Sequence, residues 1–247
     1  MRQVLLGLGL EDKELSDMPD VFGVEWRLDP KFEKILSLML IWHLAFHSNK
    51  KHRAGALLRD NCDVLEINLE FHPKLKGPLS PAFRELSKLE TLNLGGTEVT
   101  GDLAVLDHSS ELVQLDLRET KIAGDLKALE KAVGLWQLDL SKTQVSGDLE
   151  ALKNAEDLQD LDLSDTKVEG DIQALQKATK LENLDLSDTK VEGDIKALQK
   201  ATKLKNLRLE NTNTYGSEAS LRDAKHLDNV KTTGTKITAG ARCFSAG

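Results

Sequence analysis

The sequence predicts an α/β solenoid, a stack of strand–turn–helix units that share one hydrophobic core. Three observations carry this expectation. The twenty letters LDLSDTKVEGDIQALQKATK, Leu161 to Lys180, return at Leu184 to Lys203 with one change, Gln173 becoming Lys196. Units open at Leu89, Leu112, Leu135, Leu158, Leu181, Leu204 and Leu227, always 23 residues apart, and a degenerate unit opens at Val64, 25 residues before Leu89. Within each unit the apolar spacing switches from two to three, the change that separates a strand from a helical turn.

The unit reads L-x-x-L-x-L-x-x-T-x-V-x-G-D-L-x-x-L-x-x-A. Its L-x-L core, as in Leu161 and Leu163 or Leu184 and Leu186, predicts a short strand whose leucines share one face. The segment G-D-L-x-x-L-x-x-A predicts about one turn of helix. Asp125, Asp148, Asp171 and Asp194 stand just before it, where a carboxylate can accept the free N–H groups of the first turn. The preceding glycines, such as Gly147 and Gly170, relax the backbone at the strand-to-helix turn. One unit cannot bury its leucines alone, so neighbours must stack.

These residues resemble the leucine-rich repeats, whose signature L-x-x-L-x-L-x-x-N/C-x-L carries the same strand leucines. LDLSDTKVEGDI and LKGPLSPAFRELSKLETLNL look most like the plant-type class, and the match runs over roughly 64–237. The resemblance implies a curved horseshoe with a parallel sheet on its concave face, short helices or turns on its convex face, and a protein-binding role. Two departures stand out. Thr97, Thr120, Thr143, Thr166, Thr189, Thr212 and Thr235 replace the usual Asn, so hydroxyls should supply the hydrogen bonds under the turns. Proline is absent after Gly-Asp-Leu, which permits a helix there.

The chain divides into an extension, 1–60, and an array of about eight units, 61–247. The formal charge of −8 lies in the array, because residues 1–60 carry nine basic and nine acidic side chains. No basic stripe or set of stacking aromatics suits a nucleic acid. Cys62 and Cys243 lie at opposite ends of the expected solenoid, too far apart to bridge. With no disulfide-rich cap of the kind common in extracellular members of the resembled family, the cysteine usage points to a reducing, cytoplasmic compartment. Secretion is the alternative, since MRQVLLGLGL opens with an apolar run, although EDKE follows it at once.

The run KFEKILSLMLIWHLAF predicts an amphipathic helix near 31–47, through Phe32, Ile35, Leu36, Met39, His43 and Phe46. It suits a cap over the open end of the array. An interfacial membrane helix and a partner-binding helix are the other readings; membrane contact is not expected, and Ile35 to Phe46 is shorter than the ~20 residues of a membrane span. His43, His47, His52 and Cys62 raise zinc, but Leu44 stands where H-E-x-x-H has its glutamate. They read as histidines at a helix border, so no metal, no cofactor and no catalytic constellation is expected.

Residues between the strand leucines face outward and form rows. One row carries Gln114, Gln137, Asp160 and Asn183; the next carries Asp116, Asp139, Asp162 and Asp185, then Arg208. Arg118 lies on a third row, with Phe71 near the array's start and Tyr215 near its end. Stacked aspartates ~4.8 Å apart repel by about 0.9 kcal/mol per pair in water, a cost an exposed sheet tolerates. The row is therefore compatible with pure architecture or with an acidic stripe that selects a basic partner. These twelve residues are the candidate surface of a non-catalytic protein–protein interaction module or scaffold, whose oligomeric state the sequence leaves open. The alternatives are a ligand-sensing extracellular ectodomain and a peripheral membrane adaptor working through the N-terminal helix.

Overall fold

The computed structural model describes residues 55–58, 64–71, 75–79 and 81–240. The helix expected near 31–47, together with His43, His47, His52, Cys62 and Cys243, lies outside the described residues.

Two sheets run the length of the array. The first takes β1 (Gly55–Leu58), β2 (Val64–Asn68), β4 (Thr91–Asn93), β6 (Gln114–Asp116), β8 (Gln137–Asp139), β10 (Asp160–Asp162), β12 (Asn183–Asp185), β14 (Asn206–Arg208) and β16 (Asn229–Lys231) in that order. All its pairings are parallel except β1 on β2. The second takes β3 (Lys76–Pro78), β5 (Glu98–Asp102), β7 (Lys121–Asp125), β9 (Gln144–Asp148), β11 (Lys167–Asp171), β13 (Lys190–Asp194), β15 (Asn213–Ser217) and β17 (Lys236–Thr238). The L-x-L segment makes the first sheet, as its alternation predicts. The second sheet replaces the expectation of helices or turns alone on the far side. Its physical basis is the alternation of K-V-E: Val168 is buried while Lys167 and Glu169 are exposed.

The sheets differ in register. In the first, from β4 on, residue i pairs with i+23, so Leu161 lies beside Leu184 and Asp162 beside Asp185. In the second, from β5 on, the offset is 21, with Glu169 beside Lys190 and Gly170 beside Val191. A slide of two residues keeps each side chain on its face, whereas a slide of one would turn the valines outward.

Between each second-sheet strand and the next unit lies one short 3-10 helix, such as Ile172–Lys177, rather than an α-helix. Asp102, Asp125, Asp148, Asp171 and Asp194 cap these turns, each accepting the N–H two residues on at 2.8–2.9 Å. In the unit that opens at Leu204, Ser217 takes the role at 3.3 Å. The threonine hydroxyls close their own turns rather than linking units: Thr166 Oγ1 donates to the Leu163 carbonyl at 2.6 Å. The strand leucines of successive units, with the valines or isoleucines of the second sheet, form one continuous core. It loosens at the end, where Val230 and Thr232 are only half-buried.

Candidate binding surface on the concave face

The first sheet brings ten of the twelve candidate residues into one field. Gln114, Gln137, Asp160 and Asn183 start successive strands, and Asp116, Asp139, Asp162, Asp185 and Arg208 end them. Arg118 follows two residues after Asp116. Over β8 to β16 this field forms a shallow groove of about 250 Å³, with Asp139, Asp162, Asp185 and Arg208 among its walls. Phe71 lies at the rim after β2. Tyr215 does not join them: it sits on β15 of the second sheet, half-exposed, and is corrected as a member of this surface. Leu209 to Tyr215 carries the chain from one sheet to the other, which sequence distance alone does not reveal.

The aspartates are less exposed than their outward positions suggest. Asp116 is buried at 6% exposure, and the others are half-buried. Each of Asp139, Asp162 and Asp185 accepts the backbone N–H and the hydroxyl of the serine two residues on; for Asp162 these bonds from Ser164 are 2.9 and 2.6 Å. This ties the L-D-L-S wording to the turn and leaves the second carboxylate oxygen to face the groove. In the adjacent row, Asn206 Nδ2 donates to Asn183 Oδ1 at 2.5 Å, and Asn183 Nδ2 donates to Asp160 Oδ1.

Arginines close both ends of the acidic row. Arg118 Nη1 lies 2.6 Å from Asp116 Oδ2 and 3.7 Å from Asp139 Oδ2, while Nη2 bonds Glu70. Arg208 Nη1 lies 3.1 Å from Asp185 Oδ2. Among the described residues no arginine pairs with Asp160 or Asp162 on the central β10. Burial raises the pKa of Asp162 from its ordinary value; the Ser164 bonds pull it down, and Asp139 and Asp185 push it up. The net negative charge of the groove is thus centred on β10, not spread evenly along four rungs.

At the other end the geometry is built around two glycines. Phe71 adopts φ 52°, a left-handed conformation rare for an aromatic residue. Its ring lies where a side chain at Gly96 would stand, and Arg118 and Asp116 fill the space a side chain at Gly95 would take. The Arg118 guanidinium sits 5.5 Å from the centre of the Phe71 ring. Glu70, Phe71, Gly95, Gly96, Asp116 and Arg118 therefore interlock three units. The sequence singled out Phe71 and Arg118 separately, but no spacing rule joins them.

Asp116 carries a pH signature. Its pKa is pushed up to about 6, first by burial and then by Asp139 and Glu70, against the N–H and positive charge of Arg118. Folded Asp116 therefore binds its proton at pH values where the unfolded chain has released it, and stability falls as pH rises from about 4 to about 6. Asp116→Asn keeps the acceptor and removes that loss. It is expected to gain on the order of 2 kcal/mol relative to wild type between pH 4.5 and pH 7.5 in urea melts. A difference that is flat with pH would contradict this assignment.

Sequence reading missed Trp136. It occupies the place after the opening leucine, outside the three rows, where Glu90, Gln159, Glu182, Lys205 and Asp228 stand in other units. The one available signal was an aromatic residue in a polar column.

No protein-family model matches the chain, and no curated protein matches it. Solved structures do. The ectodomain of the Arabidopsis receptor kinase HAESA, in complex with an IDA peptide hormone ligand, aligns at TM-score 0.68 and 20% identity over 86% of this chain and 38% of that one. A plant ice-binding protein aligns at 0.61 and 16% over 86% and 81%, and internalin C2 of Listeria monocytogenes at 0.57 and 19% over 74% and 77%. The chain spans only 27–38% of the length of five of the structures it matches. Fold and surface together define a two-sheeted repeat solenoid with a polar concave face. The fold is the leucine-rich-repeat solenoid.

Among the described residues no helix is long and apolar enough to cross a membrane.

Proposed function

We propose that this chain is a non-catalytic recognition module whose concave sheet binds a protein or peptide with a basic surface. The observation that carries the reading is the charge on β10 that no described arginine pairs: Asp160 and Asp162 sit mid-groove while Arg118 and Arg208 pair with the row's ends. Carboxylates already half-buried and held by serine hydroxyls offer a preorganised acceptor field, which favours cationic side chains over water. The arginine at each end limits the run of positive charge that fits. Several structures of similar fold are peptide hormone receptors or receptor kinases in complex with a ligand, which supports the class of partner without specifying it.

Two of those neighbours are described as ectodomains, which favours the extracellular alternative. The cytoplasmic assignment drawn from sparse cysteine finds no support among them.

A pull-down with the intact chain and with Asp139→Asn/Asp162→Asn tests the reading. Asn preserves the acceptor of the serine bonds and removes the charge. The expected result is a partner retained by wild type at low salt and lost from the double variant. Equal recovery by both would remove the concave row from the binding surface.

A further inference from the structure

The rim beside the acidic groove carries an apolar spot that the concave rows do not explain. Val113 is 38% and Val133 51% exposed, and Trp136 is half-buried. Val113 and Trp136 are direct neighbours: the Trp136 N–H donates to the Val113 carbonyl at 2.8 Å, and the Gln137 N–H donates to the same carbonyl at 3.1 Å. Val133 precedes Trp136 in the turn that enters β8, separated from it by Gly134 and the buried Leu135. Scattered single hydrophobics on a surface need no explanation. Three within two adjacent turns, in columns otherwise filled by polar residues, do.

The surroundings specify the occupant. Gly134 stands in register between Glu111 and Asp157, 23 residues to either side. The lysines that pair with those acids, Lys88 and Lys180, lie one unit further out. Just upstream, Glu130 and Lys131 are both exposed and offset one another. The spot is therefore apolar at its centre with a carboxylate on each side. Trp136 also leads directly into Gln137 and Asp139 of β8, so the spot continues the groove surface over its edge. A side chain beside Gly134 meets nothing closer than the Leu112 carbonyl at 3.9 Å, which leaves the approach open.

We propose that Val113, Val133 and Trp136 form the anchor site for an apolar side chain of the same basic partner, seated while its cationic residues lie over Asp160 and Asp162. The inference rests on the recognition reading above. It adds the partner's chemistry: a basic segment with an aromatic or aliphatic residue at one end. Tryptophan is among the residues enriched in binding hot spots, and the two valines add apolar contact area around it.

The test uses the full chain with Trp26→Phe and Trp42→Phe, leaving Trp136 as the sole tryptophan. Two probes are titrated at low salt: a lysine-rich peptide carrying a leucine–phenylalanine pair, and its counterpart with serines in their place. The expected result is a blue shift of Trp136 emission with the first peptide and roughly tenfold tighter binding than the serine peptide. Val113→Ser/Val133→Ser should erase that preference while still binding both peptides. Val133→Ser alone, at the most exposed position, should erase part of it and guards against a folding defect in the pair. Equal affinity for both peptides with no Trp136 shift overturns the anchor but leaves the acidic-groove reading standing. Binding of neither peptide overturns both. A shift that depends on protein concentration without peptide, or emission already blue and shielded from acrylamide in the free chain, would show the spot covered by a second copy or by the chain itself. Either result overturns the proposal.

Discussion

Gly170→Ala will destabilise the chain by about 2–4 kcal/mol, far more than a methyl group ordinarily costs. Gly170 holds φ +104°, outside the region that residues with a side chain adopt readily. Space adds to the conformational penalty. The new methyl would run into the Asp148 carboxylate, which caps the 3-10 turn of the preceding unit. The substitution thus disturbs two units at once. Gly124, Gly147 and Gly193 have the same relation to Asp102, Asp125 and Asp171, so the effect should recur with the period. Gly134→Ala is the internal control: its surroundings are open, and a change near zero is expected. Chemical denaturation of the two variants checks the contrast, and equal effects would refute the turn geometry.

Leu184→Ala will cost about 3 kcal/mol. Leu184 is 1% exposed on β12 and sits in register between Leu161 and Leu207, so neighbouring units close in on it from both sides. An unrelieved cavity there weakens both interfaces. In an array where each unit touches only its neighbours, a weak middle unit uncouples the two ends. The melt should therefore broaden or divide as well as shift, and a loss below about 1 kcal/mol with unchanged cooperativity would argue against nearest-neighbour stacking.

The repeat, the strand leucines, the helix-capping aspartates and the turn glycines were all legible in the sequence, because each follows from a local rule repeated in register. The second sheet was not expected. Its strands carry one buried residue, such as Val168, between two charged ones, and three residues are too few for periodicity to outweigh the helical spacing that follows. The aspartate row was legible as a row but not as an electrostatic object. Which carboxylates are paired depends on Arg118 reaching across from Glu70 to Asp139 and on Arg208 meeting Asp185. The Arg208–Asp185 contact follows the register of neighbouring strands, whereas the reach of Arg118 to Glu70 and Asp139 follows no repeat spacing. Tyr215 was misplaced because the two sheets alternate along the chain within a few residues. Trp136 was overlooked because the rows were drawn only through the strands.

The central claim, that the concave carboxylates recruit a basic partner, is tested most directly by titrating a lysine-rich peptide against wild type and Asp139→Asn/Asp162→Asn across a range of salt concentrations. Wild-type affinity is expected to fall steeply with salt, and the double variant to bind roughly tenfold more weakly at low salt with a flattened dependence. The same affinity and the same salt dependence for both proteins would contradict it.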